Sequence, residues 1–171
     1  MTTDPDEIAE QLRQTVTDQD NIVIFDDRYD PTKVGTHKQK PGRKPSGIWY
    51  ACGLDWIDWV LSEMPGWFST NIYSLKIDKE DVRQIKTEDE LVRFSRHWML
   101  PNKKHWSQLD YPRNSIDWPS IANDYKGIEI CPYQRSLRFD DSVGWYYGWD
   151  VASGCIWDTS CIISVDELYV V

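Results

Sequence analysis

Glu129 stands between Ile128 and Ile130 in the short apolar run 127–131, GIEIC. In an extended strand successive side chains point to opposite faces, so its carboxylate faces away from both isoleucines, toward water or into a cleft. If the sheet is covered on both sides, that carboxylate must be paired or functional. A second run, residues 46–51 (SGIWYA), puts Trp49 and Tyr50 on opposite sides of one strand, with Gly47 permitting close backbone approach. One ring can serve the core while the other stacks on a planar ligand. The block 144–158 (GWYYGWDVASGCIWD) surrounds Asp150 with tryptophan and tyrosine, a density found in sugar and base sites as well as in plain cores.

A basic loop adds to these. Residues 30–44 (DPTKVGTHKQKPGRK) carry five Lys or Arg and no acid after Asp30, whereas residues 1–30 hold nine acids against Arg13 and Arg28. The reversal of charge marks either an anion-facing loop or a solvated one. Walker, G-x-G-x-x-G, H-E-x-x-H and G-x-S-x-G motifs are missing, which removes the common nucleotidases, zinc hydrolases and α/β-hydrolases. Cys52, Cys131, Cys155 and Cys161 show no C-x-x-C spacing, and His37, His97 and His105 are not paired at helical spacing, so no metal site is expected and all four thiols are read as free.

The elements that position these residues follow from periodicity. Residues 1–20 read as an N-terminal amphipathic helix begun near Asp4, with Ile8, Leu12 and Val16 on one stripe, and residues 21–171 as a single α+β domain. Strands are expected at 21–25 (NIVIF), 46–51, 71–77 (NIYSLKI), 82–85 and 127–131, with two strand-like runs in 154–164 and a last one at 168–171. Helices are expected from Asp55, with Trp56, Trp59 and Val60 on one face, from the capping box of Thr87 and Glu90 to Pro101, and over 117–125. Regular βαβ alternation is absent, so the expected fold is α+β with a mixed, mostly antiparallel sheet, split into two packed sheets, and short flanking helices.

The chain has 171 residues, room for one core, and at 13% aromatic it is too rich in large rings to be disordered. Its net charge of −9 disfavours non-specific nucleic-acid binding. No run approaches the length of a membrane span and the acidic start is unlike a signal peptide, so a cytoplasmic protein without membrane contact is expected.

Taken in order, NIVIF, the basic loop, SGIWYACG, the helix from Asp55, NIYSLKID and YKGIEI resemble the ADP-ribosyltransferase fold of the diphtheria toxin and poly-ADP-ribose polymerase type. The resemblance spans residues 21–131 in pattern and order. It implies an NAD-dependent transferase, with NAD as substrate and a protein as target, of the kind found among toxins and viral effectors. By position the catalytic carboxylate is Glu129, with Asp150 as the fallback. The aromatic stacking on nicotinamide falls at Trp49 or Tyr50, within the strand that Ser46 and Gly47 open. Arg28 or His37 takes the adenosine end, and Arg43 of the basic loop faces the pyrophosphate. A different class competes: a non-enzymatic viral or bacterial accessory protein docking a protein or glycan through a tryptophan-rich face. In the enzyme, Glu129 sits at the base of a cleft near an aromatic ring and a basic side chain; in the docking module it is solvated.

Overall fold

The computed structural model describes residues 2–25, 35–101 and 111–170. Helix α1 (Pro5–Arg13) starts where Asp4 accepts a hydrogen bond from the Asp6 amide at 2.9 Å, with Pro5 in the first turn. It is shorter than the expected helix. The Thr17 amide donates to the Asp20 carboxylate at 2.8 Å, and this turn diverts the chain into strand β1 (Asn21–Phe25). Strand β2 (Ile48–Cys52) begins two residues later than expected, because the Ser46 amide is taken by the Gln39 side chain at 3.0 Å.

Helix α2 (Asp55–Glu63) buries Ile57 and Val60, with Ile57 in a cluster with Ile8, Leu12, Ile22 and Ile72. Trp56 and Trp59 share a face, as expected: their rings stack on each other at 5.1 Å and meet Trp67, which is 57% exposed. The aliphatic stripe fills the core and leaves the wider rings at the rim.

Strands β3 (Asn71–Ile77) and β4 (Val82–Ile85) lie where periodicity puts them. Helix α3 (Glu88–Trp98) follows, with Thr87 Oγ1 accepting from the Glu90 amide and Leu91 and Phe94 buried. Helix α4 (Trp118–Ile121) is regular for a single turn, since Asn123 and Asp124 favour turns over helix. Strands β5 (Gly127–Ile130), β6 (Ser153–Ile156) and β7 (Ile162–Tyr169) complete the molecule.

The seven strands among the described residues form one mixed sheet of order β4-β5-β6-β2-β1-β3-β7, in which β4 and β5 run parallel and the other paired strands antiparallel. The α+β class stands, and the expected split into two sheets is replaced by curvature. Val82 of β4, near one edge, shares an apolar cluster with Ile162 and Val165 of β7 at the other edge, around Val23, Tyr50 and Leu75. The outer face carries the larger core, where Trp118, Trp145, Trp149 and Trp157 are buried with Phe94, Ile128 and Ile130. No helix among the described residues is long and apolar enough to cross a membrane.

Candidate functional site

On the inner face of the sheet β5, β6 and β2 run side by side. Gly154 of β6 is paired on one side with Tyr50 and on the other with Glu129. Any side chain at 154 would overlap Tyr50 Cζ and Oη, so the glycine lets the phenol lie across β6 and reach the far strand. There the Tyr50 hydroxyl donates to Glu129 Oε1 at 3.0 Å.

Lys79, in the short turn between β3 and β4, donates to the same Oε1 and, at 2.9 Å, to Asn21 Oδ1. Its ammonium also stands 5.1 Å from the centre of the Tyr50 ring. Both contacts of Glu129 fall on Oε1, and no hydrogen bond among the described residues engages Oε2. Burial, reinforced by the charge of Glu129, raises the Tyr50 phenol well above its ordinary range, so it remains a donor at every ordinary pH. Glu129 itself is 8% exposed and therefore is not a solvated strand residue.

One step further along the same face the pattern repeats. Cys52 of β2 and Cys131, just past β5, flank Ala152, and their sulfurs are joined in a disulfide with Cα atoms 6.7 Å apart. This corrects the reading of four free thiols: Cys155 and Cys161 are free and buried, while Cys52 and Cys131 are paired. The inward curl brings their strands together across β6, a convergence that linear spacing does not reveal.

Glu129, Cys52, Cys131 and Ala152 line a cavity of about 850 Å³ with Lys76, Lys79 and Lys86. Asp55 also lines it, and burial raises its carboxyl above the usual range. The polar groups of this cavity come from several strands and the turns between them, as expected of a ligand site held on a rigid sheet.

A second cavity, of about 330 Å³, is lined by Trp49, Trp56, Trp149, Lys44, Tyr50 and Asp150 among others. Trp149 meets the edge of Trp49 at 4.9 Å between centres, and Lys44 lies 5.5 Å from the centre of the Trp49 ring. Asp150 is 3.2 Å from Arg138, whose charge it balances. The residues singled out in the sequence therefore divide into two constellations: Glu129 with Tyr50, and Asp150 with Trp49.

Four others join neither lining. The His37 amide binds the Trp157 carbonyl at 2.7 Å, Arg43 Nε donates to the Arg113 carbonyl at 3.1 Å, Ser46 is tied to Gln39, and Gly47 packs on the Ile156 carbonyl. Arg28 lies outside the described residues.

Comparison of the chain with family models, characterised proteins and solved structures finds no match. Function rests on the chain itself.

Lys79, Asn21, Cys52 and Cys131 are the site residues that sequence reasoning passed over. For the cysteines a signal exists: each follows a singled-out residue, Tyr50 or Glu129, by two positions, which places it on the same strand face. For Lys79 there is none, since a lysine in an acidic turn looks solvated.

Proposed function

We propose that the cavity over Glu129 binds NAD and that the protein is an ADP-ribosyltransferase-like enzyme acting on a macromolecular target, in the first place a protein. The observation that carries this reading is a buried carboxylate, anchored through one oxygen by Tyr50 and Lys79, in the wall of a cavity large enough for a nucleotide. The order of sequence motifs shared with that fold supports the same reading.

The chemistry suits these residues. As the bond between ribose C1′ and nicotinamide breaks, nicotinamide leaves with the bonding pair and positive charge grows on the sugar. Glu129 Oε2 accepts the ribose 2′-hydroxyl and offsets that charge, while Tyr50 and Lys79 hold the carboxylate in place. Lys76 and Lys86 supply cations for the pyrophosphate. The target's nucleophile then bonds to C1′ and releases its proton to solvent. No aromatic ring lines this cavity among the described residues, so no stacking partner for nicotinamide is assigned within it.

The test is release of nicotinamide from labelled NAD, with and without cell lysate, by the wild type, Glu129→Gln and Asp150→Asn. Turnover in Glu129→Gln should fall about 10²-fold or more, the scale of losing one preorganised electrostatic group, while Asp150→Asn stays near wild type. A wild-type chain that neither hydrolyses NAD nor modifies any protein would end the reading; loss confined to Asp150→Asn would move it to the second cavity.

The cluster of half-buried Trp56 and Trp59 beside the exposed Trp67 favours a second reading, a docking module for a protein or glycan. That reading places the critical loss in Trp67→Ala and predicts no NAD turnover at all.

A further inference from the structure

We propose that reduction of the Cys52–Cys131 disulfide turns the wall of the Glu129 cavity into a binding site for a thiophilic divalent cation, Zn²⁺ in the first instance. Its ligands are Cys52 Sγ, Cys131 Sγ and a carboxylate oxygen of Glu129. These three donor atoms lie within 4.8 Å of one another, and they form the only such group of Cys, His and acidic side chains among the described residues. Bonds of about 2.0–2.3 Å in a tetrahedron place donors roughly 3.5–4 Å apart. Once the disulfide is reduced, the two sulfurs must part from about 2 Å to that spacing, while the carboxylate oxygen closes by about an ångström or less.

The fold supplies the arrangement. Cys52 lies two residues after Tyr50 on β2, and Cys131 two residues after Glu129 at the end of β5, so all four side chains share the inner face. Small residues on the strand between them, Ala152 and Gly154, leave the space above β6 free for groups reaching across. Cys52 and Glu129 are buried and Cys131 is half-buried, yet all three line the cavity, which gives both a small reductant and an ion a route inward. Two thiolates and a carboxylate form a donor set that prefers zinc to magnesium or calcium. The fourth position opens on the cavity and takes water. Lys79 need not follow the carboxylate, because it keeps Asn21 Oδ1 at 2.9 Å.

The electron balance requires a dithiol. One of its thiolates attacks a cysteine sulfur, the second displaces the mixed disulfide, and the reductant leaves as its own disulfide while the protein gains two thiols. Zn²⁺ then replaces both thiol protons, which pass to solvent. Bound metal takes the carboxylate that the NAD reading needs, so zinc should inhibit turnover by the reduced chain. That consequence alone rests on the NAD reading; metal binding does not.

The experiment uses the full chain, reduced with dithiothreitol, desalted without oxygen and titrated with Co²⁺ beside an oxidised sample. The reduced chain should bind one Co²⁺ with a thiolate-to-cobalt charge-transfer band in the near ultraviolet, and Zn²⁺ should displace it. The oxidised chain should show no band. Cys131→Ser should abolish the two-thiolate spectrum, and Glu129→Gln should weaken binding at least about tenfold. Absence of the band in reduced wild type, its persistence in Cys131→Ser, or unchanged affinity in Glu129→Gln would each overturn the site. The comparison of oxidised with reduced wild type needs no substitution, so poor folding of a variant leaves the decision intact. Inhibition by zinc is read separately, and its absence beside a normal cobalt band would count against the NAD reading alone.

Discussion

The two faces of strand β2 treat adjacent aromatic residues in opposite ways. Trp49 points to the outer face, where it meets the edge of Trp149 and joins the core of Trp118, Trp145 and Trp157. Tyr50 points to the inner face, where its ring crosses Gly154 and its hydroxyl ends on Glu129. On the outer side the rings are used for shape and volume. On the inner side one ring is used for its polar end, in a setting dry enough to strengthen the hydrogen bond it makes. Large aromatic content therefore says little about function until each ring is assigned to a face.

If the outer face is shape alone, removing one of its largest rings should be the costliest change. Trp145 is fully buried, packs against Phe94 at 5.6 Å and Trp118 at 6.0 Å, and donates its indole N–H to Ser95 Oγ at 3.1 Å. Trp145→Ala should lower the unfolding free energy by about 3–5 kcal/mol, read from urea denaturation, and leave any activity of the surviving folded fraction intact. A loss below 1 kcal/mol would mean that the outer core is not the frame of the molecule.

The inner face should fail differently. Gly154→Ala adds one methyl group that overlaps Tyr50 Cζ and Oη, so the ring must leave Glu129 or the strands must part. The expected cost is about 1–3 kcal/mol, typical of overpacking. Its effect on the site is out of proportion to that loss, because the carboxylate loses one of its two anchors. NAD turnover, where found, should fall in this variant and survive in Trp145→Ala. Equal loss of activity in both would erase the distinction between the faces.

What the sequence disclosed follows the range of the forces involved. Strands β1, β3, β4 and β5 and helix α3 were legible because alternation, capping and β-branched runs act within a few residues. The burial of Glu129 was legible only as a condition, since it depends on whether the opposite face of the sheet is covered. Its partners were not. Lys79 reaches it from 50 residues away and the Cys52–Cys131 link closes 79 residues, distances set by strand order and by the curl of the sheet. Which stripe of α2 turns inward was left open for a related reason: either suits a helix, and contact with Ile8, Ile22 and Ile72 selects the one that carries Ile57.

The smallest effect compares the two free thiols, one on each face. Cys155 belongs to the outer core and Cys161 to the inner cluster, and burial holds both above the ordinary thiol range, Cys161 at about 11. Asp81 and Asp158 add to the shift of Cys161, against Lys126. A thiol whose folded pKa is raised contributes stability that is complete below the unfolded value of about 8.5. As pH rises past that value the unfolded chain loses its proton first, so the contribution drains away until the folded thiol ionises near 11. Cys161→Ala should therefore flatten the alkaline fall in stability, by at most about 1.4 kcal/mol per pH unit, while leaving the neutral plateau lower by the small volume lost. Cys155→Ala should flatten the same limb and extend the change to higher pH, because its thiol is raised further. Thermal melts between pH 8 and 10.5, roughly the span between the two thiol states, decide the matter. An unchanged slope in Cys161→Ala would show that its sulfur is hydrated in the folded chain, and that the inner cluster around Tyr50 is wetter than its burial implies.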